Sequence, residues 1–153
     1  MLEHLQILPY TSERLEDAAA FEKRLREEEN FWGWEIDGDY ISAVRESFQD
    51  ARFADSISLL AYEGENVVGR IDSALIHSHF DGSVKAYLDW ICVLKSKRHH
   101  GVAQALMEEL RRRLRDAGAD TLIGLIASNP EAQKFYRAME GAEIKDEGIW
   151  INL

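Results

Sequence analysis

Hydrophobic and polar residues follow two different periods along this chain, and the period changes near Ser56. Before Ser56, apolar residues recur three and four positions apart, which is typical of amphipathic helices. After it, short apolar runs separated by turn residues predict strands, and the helical period returns at Val102. The predicted strands cover residues 4–10, 56–62, 67–78, 85–94, 121–127, 143–146 and 148–152. The predicted helices cover residues 11–30, 39–50, 102–115 and 129–140.

The elements therefore follow one another in the order β-α-α-β-β-β-α-β-α-β-β. Turn residues at 63–66 and at Asp81-Gly82 are short enough to join consecutive strands as hairpins. Gly118 and Gly141 stand where helices are expected to end. This pattern predicts an α/β fold, with a mixed sheet of about six or seven strands and about four helices on its faces. We expect a single domain over residues 1–153.

Composition narrows the class of protein. With 46% hydrophobic and 30% charged residues among 153, the chain is long enough for a core and unlike a disordered protein. The single cysteine, Cys92, excludes an intramolecular disulfide and a multi-cysteine zinc site. No apolar run approaches the roughly 20 residues of a membrane helix, and the first residues do not resemble a secretory signal. We therefore expect a soluble, cytoplasmic protein with no membrane partner.

The net charge of −10 is unevenly distributed. Residues 1–80 contain 17 acidic and 7 basic side chains, whereas residues 81–153 contain 11 of each. An acidic field disfavours nucleic acid as a partner and favours cations, although the acids could simply keep a small protein soluble. The basic run at residues 111–115 closes a predicted helix, where cations stabilise the dipole, so it does not indicate a nucleic-acid site.

The segment from Leu88 to Ala103 combines the end of a predicted strand, a short loop and the start of a helix. The first amides of a helix have no intrahelical acceptor and lie at the positive end of its dipole, so they can surround a pyrophosphate. Gly101 would let such a ligand approach the backbone closely. The amides that could contribute belong to Arg98, His100, Gly101 and Ala103, and the nearby positive charges to Lys95, Lys97 and Arg98. The alternative is an ordinary strand-to-helix turn.

A second informative segment begins at Asn129, one strand later. Asn129 is placed to cap a helix, and Pro130 occupies the first helical position, where its missing N–H costs nothing. Tyr136 follows seven residues after Asn129, two turns along the same helix face. An amide and a phenol would then line one groove.

Together the two segments resemble the GNAT superfamily of acyl-CoA N-acyltransferases. The loop signature of that family is met by Val93, Arg98, Gly101, Val102 and Ala103, and its later signature by Asn129, Ala132, Phe135, Tyr136 and Gly141. The motifs span about residues 88–142, and the order of elements agrees over the whole chain. Lys95 replaces a proline of the family, His99 and Ala103 replace glycines, and Ala142 replaces an aromatic residue. The resemblance implies a mostly antiparallel sheet.

The resemblance also implies acetyl-CoA (coenzyme A) as the cofactor, and no metal ion. The pantetheine arm of coenzyme A would enter a gap between the strand ending at Val93 and the strand at 121–127, bonding to backbone near Ile91 and Val93. The implied cofactor-binding residues are Ile91, Cys92, Val93, Arg98, His99, His100, Gly101, Val102, Ala103, Asn129, Ala132 and Tyr136. An amine would attack the acetyl group directly in a ternary complex.

Two catalytic residues follow from this resemblance. Tyr136 matches the tyrosine that protonates the leaving thiolate, the alternative being a half-buried aromatic with a satisfied hydroxyl. Asp89 is the candidate general base, and strict strand alternation would put it on the face of Ile91 and Val93. The alternative bases, all expected on the neighbouring strand, are Asp72, His77 and His79. The reaction could also use no dedicated base, and a Cys92-acyl intermediate competes poorly with Cys92 as buried packing.

In this family the first two helices and a hairpin tip wall the acceptor site. The acidic and aromatic residues in that region are Glu27, Glu28, Glu29, Phe31, Trp32, Trp34, Glu35, Asp37, Asp39 and Tyr40. Acids beside aromatic rings suit a small cationic amine, such as a polyamine or an aminoglycoside. The alternative is that the tryptophans are core residues and the acids only solvate helix ends.

Three functions remain open from the sequence. An acetyl-CoA-dependent N-acetyltransferase acting on a primary amine fits both motifs. A catalytically silent acyl-CoA-binding or sensing domain would need neither Tyr136 nor Asn129, and a partner-binding module would have lost the cofactor altogether. The sheet edges of this family often pair, so a homodimer is possible.

Overall fold

A computed structural model of the chain describes residues 4–30 and 33–153. The strands are β1 (Leu5–Pro9), β2 (Ser56–Glu63), β3 (Asn66–His77), β4 (Val84–Val93) and β5 (Thr121–Gly124). The helices are α1 (Leu15–Glu29), α2 (Gly38–Ser47), α3 (Val102–Asp116) and α4 (Pro130–Arg137). The predicted α/β class and the four helices are confirmed, with five strands in place of the six or seven expected.

The strands form one sheet in the order β1-β2-β3-β4-β5, and β1 to β4 pair as antiparallel neighbours. Short turns between β2, β3 and β4 dictate this arrangement, because a hairpin can only join antiparallel strands. The Asp120 N–H donates to the Val84 carbonyl (3.1 Å), which brings the start of β5 beside the start of β4.

Helices cover both faces of the sheet, as two consecutive residues of β3 demonstrate. A Cβ on Gly69 would lie 3.0 Å from Val102 Cγ1 and 3.1 Å from Leu106 Cδ1, both on α3. The next residue, Arg70, instead forms an ion pair with Glu22 on α1. Because successive strand residues point to opposite faces, α3 and α1 pack on opposite sides of the sheet. The largest fully buried side chains are Phe21, Leu15, Leu59, Leu60, Ile71, Leu94, Leu106, Leu110 and Val68.

The start of α1 differs from the prediction in its cap. A 3-10 turn at Ser12–Arg14 precedes the helix, which begins at Leu15. The Thr11 side chain caps no amide there, and its hydroxyl instead accepts a hydrogen bond from the Arg14 guanidinium (3.2 Å). A threonine before a helix predicts an N-cap, but here the Arg14 guanidinium binds the Thr11 hydroxyl oxygen that would have capped the helix.

The chain forms two compact units, Met1–Ile123 and Gly124–Leu153. In the second unit, within the described residues, α4 is the regular element, and the strands predicted at 143–146 and 148–152 are absent. The side chains there are largely exposed, among them Ile149, Trp150 and Ile151. A segment rich in strand-forming residues does not form a strand without a paired neighbour. The predicted strand at 121–127 likewise ends at Gly124. The expectation of a single domain over 1–153 stays a prediction.

Among residues 4–30 and 33–153, every helix is too short or too polar to cross a membrane.

Candidate functional site

A β-bulge interrupts β4 at the proposed base, Asp89. Asp72 pairs with Trp90 and Ser73 pairs with Leu88, so Asp89 is the extra residue with no partner on β3. Strict alternation therefore does not carry through this position, and the basis for placing Asp89 on the face of Ile91 and Val93 is lost. Asp89 is exposed in this structure. Bulges of this kind redirect side chains and free backbone groups, and neither effect can be foreseen from period two alone.

After the bulge, β4 resumes its pairing with β3. Ile91, Cys92 and Val93 lie opposite Ile71, Arg70 and Gly69 respectively. Val93 is buried and the other two are partly buried. These pairings put Ile91 and Val93 on the face covered by α3, and Cys92 on the face covered by α1.

Burial raises the pKa of the Cys92 thiol to about 11, even though the nearby Arg98 guanidinium opposes this increase. Cys92 is consequently a neutral thiol at physiological pH, and a thiol is a poor nucleophile. This environment supports the interpretation of Cys92 as a packing residue rather than an acyl carrier.

The loop between β4 and α3 uses left-handed backbone at two positions. After a 3-10 turn at Lys95–Lys97, His99 has φ +63° and Gly101 has φ +84°, and α3 begins at Val102. Gly101 adopts this conformation without strain, whereas His99 must tolerate a conformation that favours glycine. The left-handed backbone at position 99 explains why the GNAT signature has a glycine where this chain has His99.

The start of α3 fits a phosphate group. Its N-cap residue, Gly101, has no side chain that could occupy the first helical amides, so Val102 and Ala103 keep theirs directed out of the helix end. One expectation needs correction, because the Arg98 amide already donates to the Lys95 carbonyl (3.4 Å). The Arg98 contribution to a bound anion would come from its guanidinium instead.

The Arg98 side chain connects this loop to the end of α1. Its Nε donates to the Val93 carbonyl (3.3 Å), and its Nη2 pairs with the Glu29 carboxylate. Next to it, Glu28 accepts hydrogen bonds from the Ser96 amide (3.0 Å) and hydroxyl (2.8 Å). The backbone hydrogen bond from Ser96 is the main reason that the pKa of Glu28 is lowered. The candidate phosphate loop is thus held by two carboxylates of the first helix.

The alternative bases differ in their surroundings. Asp72 accepts two hydrogen bonds from Arg70, at 2.7 and 2.9 Å. The Arg70 guanidinium therefore already compensates the negative charge of Asp72. His77 lies 3.4 Å from Asp55, and both side chains are more than half exposed. His79 was expected on the strand, but β3 ends at His77 and His79 lies in the following turn.

The predicted cap of α4 is confirmed. Asn129 Oδ1 accepts a hydrogen bond from the Ala132 amide (2.8 Å), and Pro130 is the first helical residue. Tyr136 lies in the last turn, where its ring contacts Phe135 edge to face at 5.1 Å between centroids. Burial raises the pKa of the Tyr136 phenol, so it holds its proton across the physiological range.

Part of the acidic and aromatic region near α2 is already engaged. Asp37 caps α2 by accepting from the Tyr40 amide (3.0 Å), and the Arg26 guanidinium lies 5.1 Å from the centre of the Trp34 ring. The alternative that Trp34 is a core residue is wrong, since it is 59% exposed. Phe31 and Trp32 lie outside the described residues.

A buried ion network between α1 and β3 was missed by the sequence analysis. Glu22 pairs with Arg26 (2.6 Å) and with Arg70 (2.9 Å), and Arg70 also pairs with Asp72. The hydroxyl of Tyr10, whose ring lies against Arg70, is buried without a hydrogen-bond partner in the described structure. The available signal was Glu22 itself, a carboxylate at helical spacing within the apolar face of α1.

Comparisons with known proteins agree with this architecture. A family model described as the acetyltransferase (GNAT) family matches residues 1–140. An aminoglycoside acetyltransferase from an uncultured soil metagenomic sample, solved with sisomicin, is 13% identical with a TM-score of 0.84, covering 100% of this chain and 99% of its own. No curated protein sequence matches the chain significantly.

Two further structures share the fold at low identity. The aminoglycoside acetyltransferase AAC(6')-Iy, bound to a bisubstrate analogue of coenzyme A and acetylneamine, is 24% identical with a TM-score of 0.77 and 99% coverage of both chains. A ribosomal-protein-alanine N-acetyltransferase from Brucella melitensis is 17% identical with a TM-score of 0.73, covering 97% of this chain and 98% of its own. The family match over residues 1–140 goes beyond a shared fold, and this chain belongs to the acetyltransferase (GNAT) family, which transfers acetyl groups from acetyl-CoA to amines.

Proposed function

We propose that this chain transfers the acetyl group of acetyl-CoA to the primary amine of a small cationic acceptor, by direct attack in a ternary complex. The observation that carries the proposal is the β4–α3 loop. It presents uncapped helix amides behind the left-handed Gly101, and Arg98 lies three residues before this N-cap. That arrangement suits the pyrophosphate of coenzyme A.

The cofactor would be held by residues of three kinds. Backbone amides at the start of α3 and in the loop would bind the pyrophosphate, and backbone near Ile91, Cys92 and Val93 would bind the pantetheine arm. In the other compact unit, the family resemblance assigns Asn129, Ala132 and Tyr136 to the cofactor as well. Acetyl-CoA supplies a thioester that an amine can attack without any metal.

The chain's own groups would then move two protons. Tyr136 keeps its phenolic proton at neutral pH, which supports its role as the acid that protonates the departing thiolate. Asp89 is exposed at the bulge, which supports a base acting on the acceptor amine, directly or through one water molecule. Asp72 is a weaker candidate than Asp89, because Arg70 already holds both of its oxygens.

A cationic acceptor is supported by charge. The chain carries a net charge of −10, and the excess lies in its first 80 residues. Within the described residues, Glu27, Glu35 and Asp39 form no ion pair, so these carboxylates are available to attract an amine. Such steering acts over about 8–10 Å at physiological ionic strength and weakens as salt is added.

The first experiment is a calorimetric titration with coenzyme A, followed by a thiol-release assay with acetyl-CoA and a panel of amines. We expect coenzyme A to bind, and cationic primary amines to be acetylated faster than neutral ones at low salt. Equal rates for cationic and neutral amines would remove the acceptor part of the proposal. Binding without turnover of any amine would instead favour a silent acyl-CoA-binding domain.

Tyr136→Phe tests the catalytic part. Loss of a general acid typically costs about 10²- to 10⁴-fold in rate, and we expect the loss in kcat rather than in the affinity for coenzyme A. Tyr62→Phe is the matched control, because it also removes a partly buried hydroxyl, one that donates a hydrogen bond to Asp17 (2.7 Å). If both variants keep the rate of the unmodified protein, Tyr136 is not the acid.

A further inference from the structure

The last turn of α1 carries three consecutive carboxylates, Glu27, Glu28 and Glu29, and two of them contact the β4–α3 loop. Glu28 accepts hydrogen bonds from the Ser96 amide (3.0 Å) and hydroxyl (2.8 Å), and Glu29 accepts a hydrogen bond from the Arg98 guanidinium. Carboxylates at a helix C-terminus are destabilised by the dipole, so they need positive or N–H partners. The loop supplies such partners for Glu28 and Glu29, and Glu28 also pairs with Arg24 on α1 (3.0 Å). Glu27 is exposed and forms no ion pair among the described residues.

The two contacts differ in what a bound anion would do to them. Glu28 bonds to the backbone of the 3-10 turn at Lys95–Lys97, which precedes the amides at the start of α3. Glu29 bonds to Arg98, the guanidinium that the proposed function assigns to the pyrophosphate. An anion therefore leaves the first contact intact and competes directly for the second.

Resting on the proposed function, we propose that Glu28 and Glu29 have opposite effects on coenzyme A binding. Glu28 is a positioning residue that holds the 3-10 turn in place before the helix. Without coenzyme A, Glu29 forms an ion pair with Arg98, and this pair must break before Arg98 can bind the pyrophosphate. Because the product coenzyme A carries the same pyrophosphate as acetyl-CoA, Glu29 also speeds product release by taking Arg98 back.

The geometry makes the exchange feasible. The Arg98 and Glu29 side chains are 28% and 27% exposed, so a released carboxylate can be hydrated again without large cost. A pyrophosphate offers more negative charge than a carboxylate and can accept two parallel hydrogen bonds from one guanidinium. Glu29 therefore weakens binding of coenzyme A but does not prevent it.

The test compares Glu27→Gln, Glu28→Gln and Glu29→Gln. Each variant removes one negative charge from neighbouring positions, so the change in long-range field is nearly the same in all three. Calorimetry would give the Kd for coenzyme A and for pantetheine, a probe that lacks the pyrophosphate. Stopped-flow release of coenzyme A would give its dissociation rate.

Relative to Glu27→Gln, we expect Glu29→Gln to bind coenzyme A about two- to fivefold more tightly, the range of one exposed ion pair. Its coenzyme A dissociation should slow by a similar factor, with pantetheine binding unchanged. Glu28→Gln should weaken coenzyme A by a similar factor although it too loses a negative charge.

Three results would overturn the inference. One is an equal change in all three variants, which would indicate a field effect alone. Another is weaker or unchanged binding of coenzyme A by Glu29→Gln, with the variant shown to be folded by its unfolding transition. The third is a failure of the unmodified protein to bind coenzyme A at millimolar concentration, which would remove the proposed function as well. The first two leave the proposed function standing.

Discussion

The Glu22 carboxylate on α1 accepts a hydrogen bond from the Arg70 guanidinium on β3 at 2.9 Å, and these side chains are only 5% and 11% exposed. Arg26 contacts the other oxygen of Glu22 at 2.6 Å, and Asp72 contacts Arg70. Two acids and two bases thus compensate one another between the helix and the sheet. Removing Glu22 would leave two positive charges against one negative charge in this partly buried network.

Glu22→Gln is therefore expected to lower the free energy of unfolding by about 3 kcal/mol, because breaking a buried pair leaves an uncompensated charge. Urea unfolding would measure the difference. Glu16→Gln is the matched control, since Glu16 also lies on α1 and pairs with an arginine, Arg45, but at 3.5 Å with both side chains more than half exposed. The control should change stability by less than about 0.5 kcal/mol. Equal effects would mean that the buried network contributes no more than a surface pair.

Gly69→Ala should destabilise the protein by about 1–3 kcal/mol, the usual cost of an added group in a packed interior. The new methyl would lie 3.0 Å from Val102 Cγ1, 3.1 Å from Leu106 Cδ1 and 3.3 Å from the Cys92 carbonyl oxygen. Because Val102 begins α3, coenzyme A affinity should fall together with stability. Gly38→Ala, at a position with no heavy atom within 4 Å, should leave both quantities nearly unchanged. Unfolding curves and calorimetry would check both variants.

Replacing His99 by valine should cost stability, whereas the same replacement at His100 should not. His99 has φ +63°, a left-handed conformation that β-branched residues avoid. We expect a loss of about 1–2 kcal/mol for His99→Val. His100 is also exposed but has no positive φ, so His100→Val controls for lost imidazole chemistry. His99→Gly should be tolerated, and a loss as large as that of His99→Val would argue against backbone strain.

Cys92→Ala should retain acetyl transfer. With a pKa of about 11, only about one molecule in 10⁴ carries the thiolate at pH 7, too few for an efficient acyl carrier. The small side-chain change should cost some stability because Cys92 is partly buried. Steady-state rates with acetyl-CoA would decide. A loss of kcat as large as that in Tyr136→Phe would revive the acyl-enzyme route.

The elements that the sequence predicted well are those specified by local signals. Strands β2, β3 and β4 begin and end within one residue of prediction, because turn residues and β-branched runs mark both ends. Helix α3 also agrees within one residue, since its apolar face repeats at 3.6 positions. Asn129 and Pro130 specified the start of α4 by capping chemistry alone.

Predictions failed where an outcome depended on a distant part of the chain. The strands expected near the C-terminus have strand-like composition but no paired neighbour, and a ladder hydrogen bond needs two chains. The bulge at Asp89 is visible only in the pairing of β4 with β3, because a single extra residue changes the register without changing the local pattern.

By itself, the sequence determined the order of elements from β1 to α4, the helix faces and the two motifs of the acetyltransferase family, because capping, turns and periodicity act over a few residues. Only the tertiary structure decided which charges meet. Glu22 lies 48 positions from Arg70, and Glu29 lies 69 positions from Arg98. An ion pair depends on distances of a few ångströms in space, which sequence separation does not encode. Two carboxylates at the end of α1, Glu28 and Glu29, therefore bind the loop that we propose holds coenzyme A.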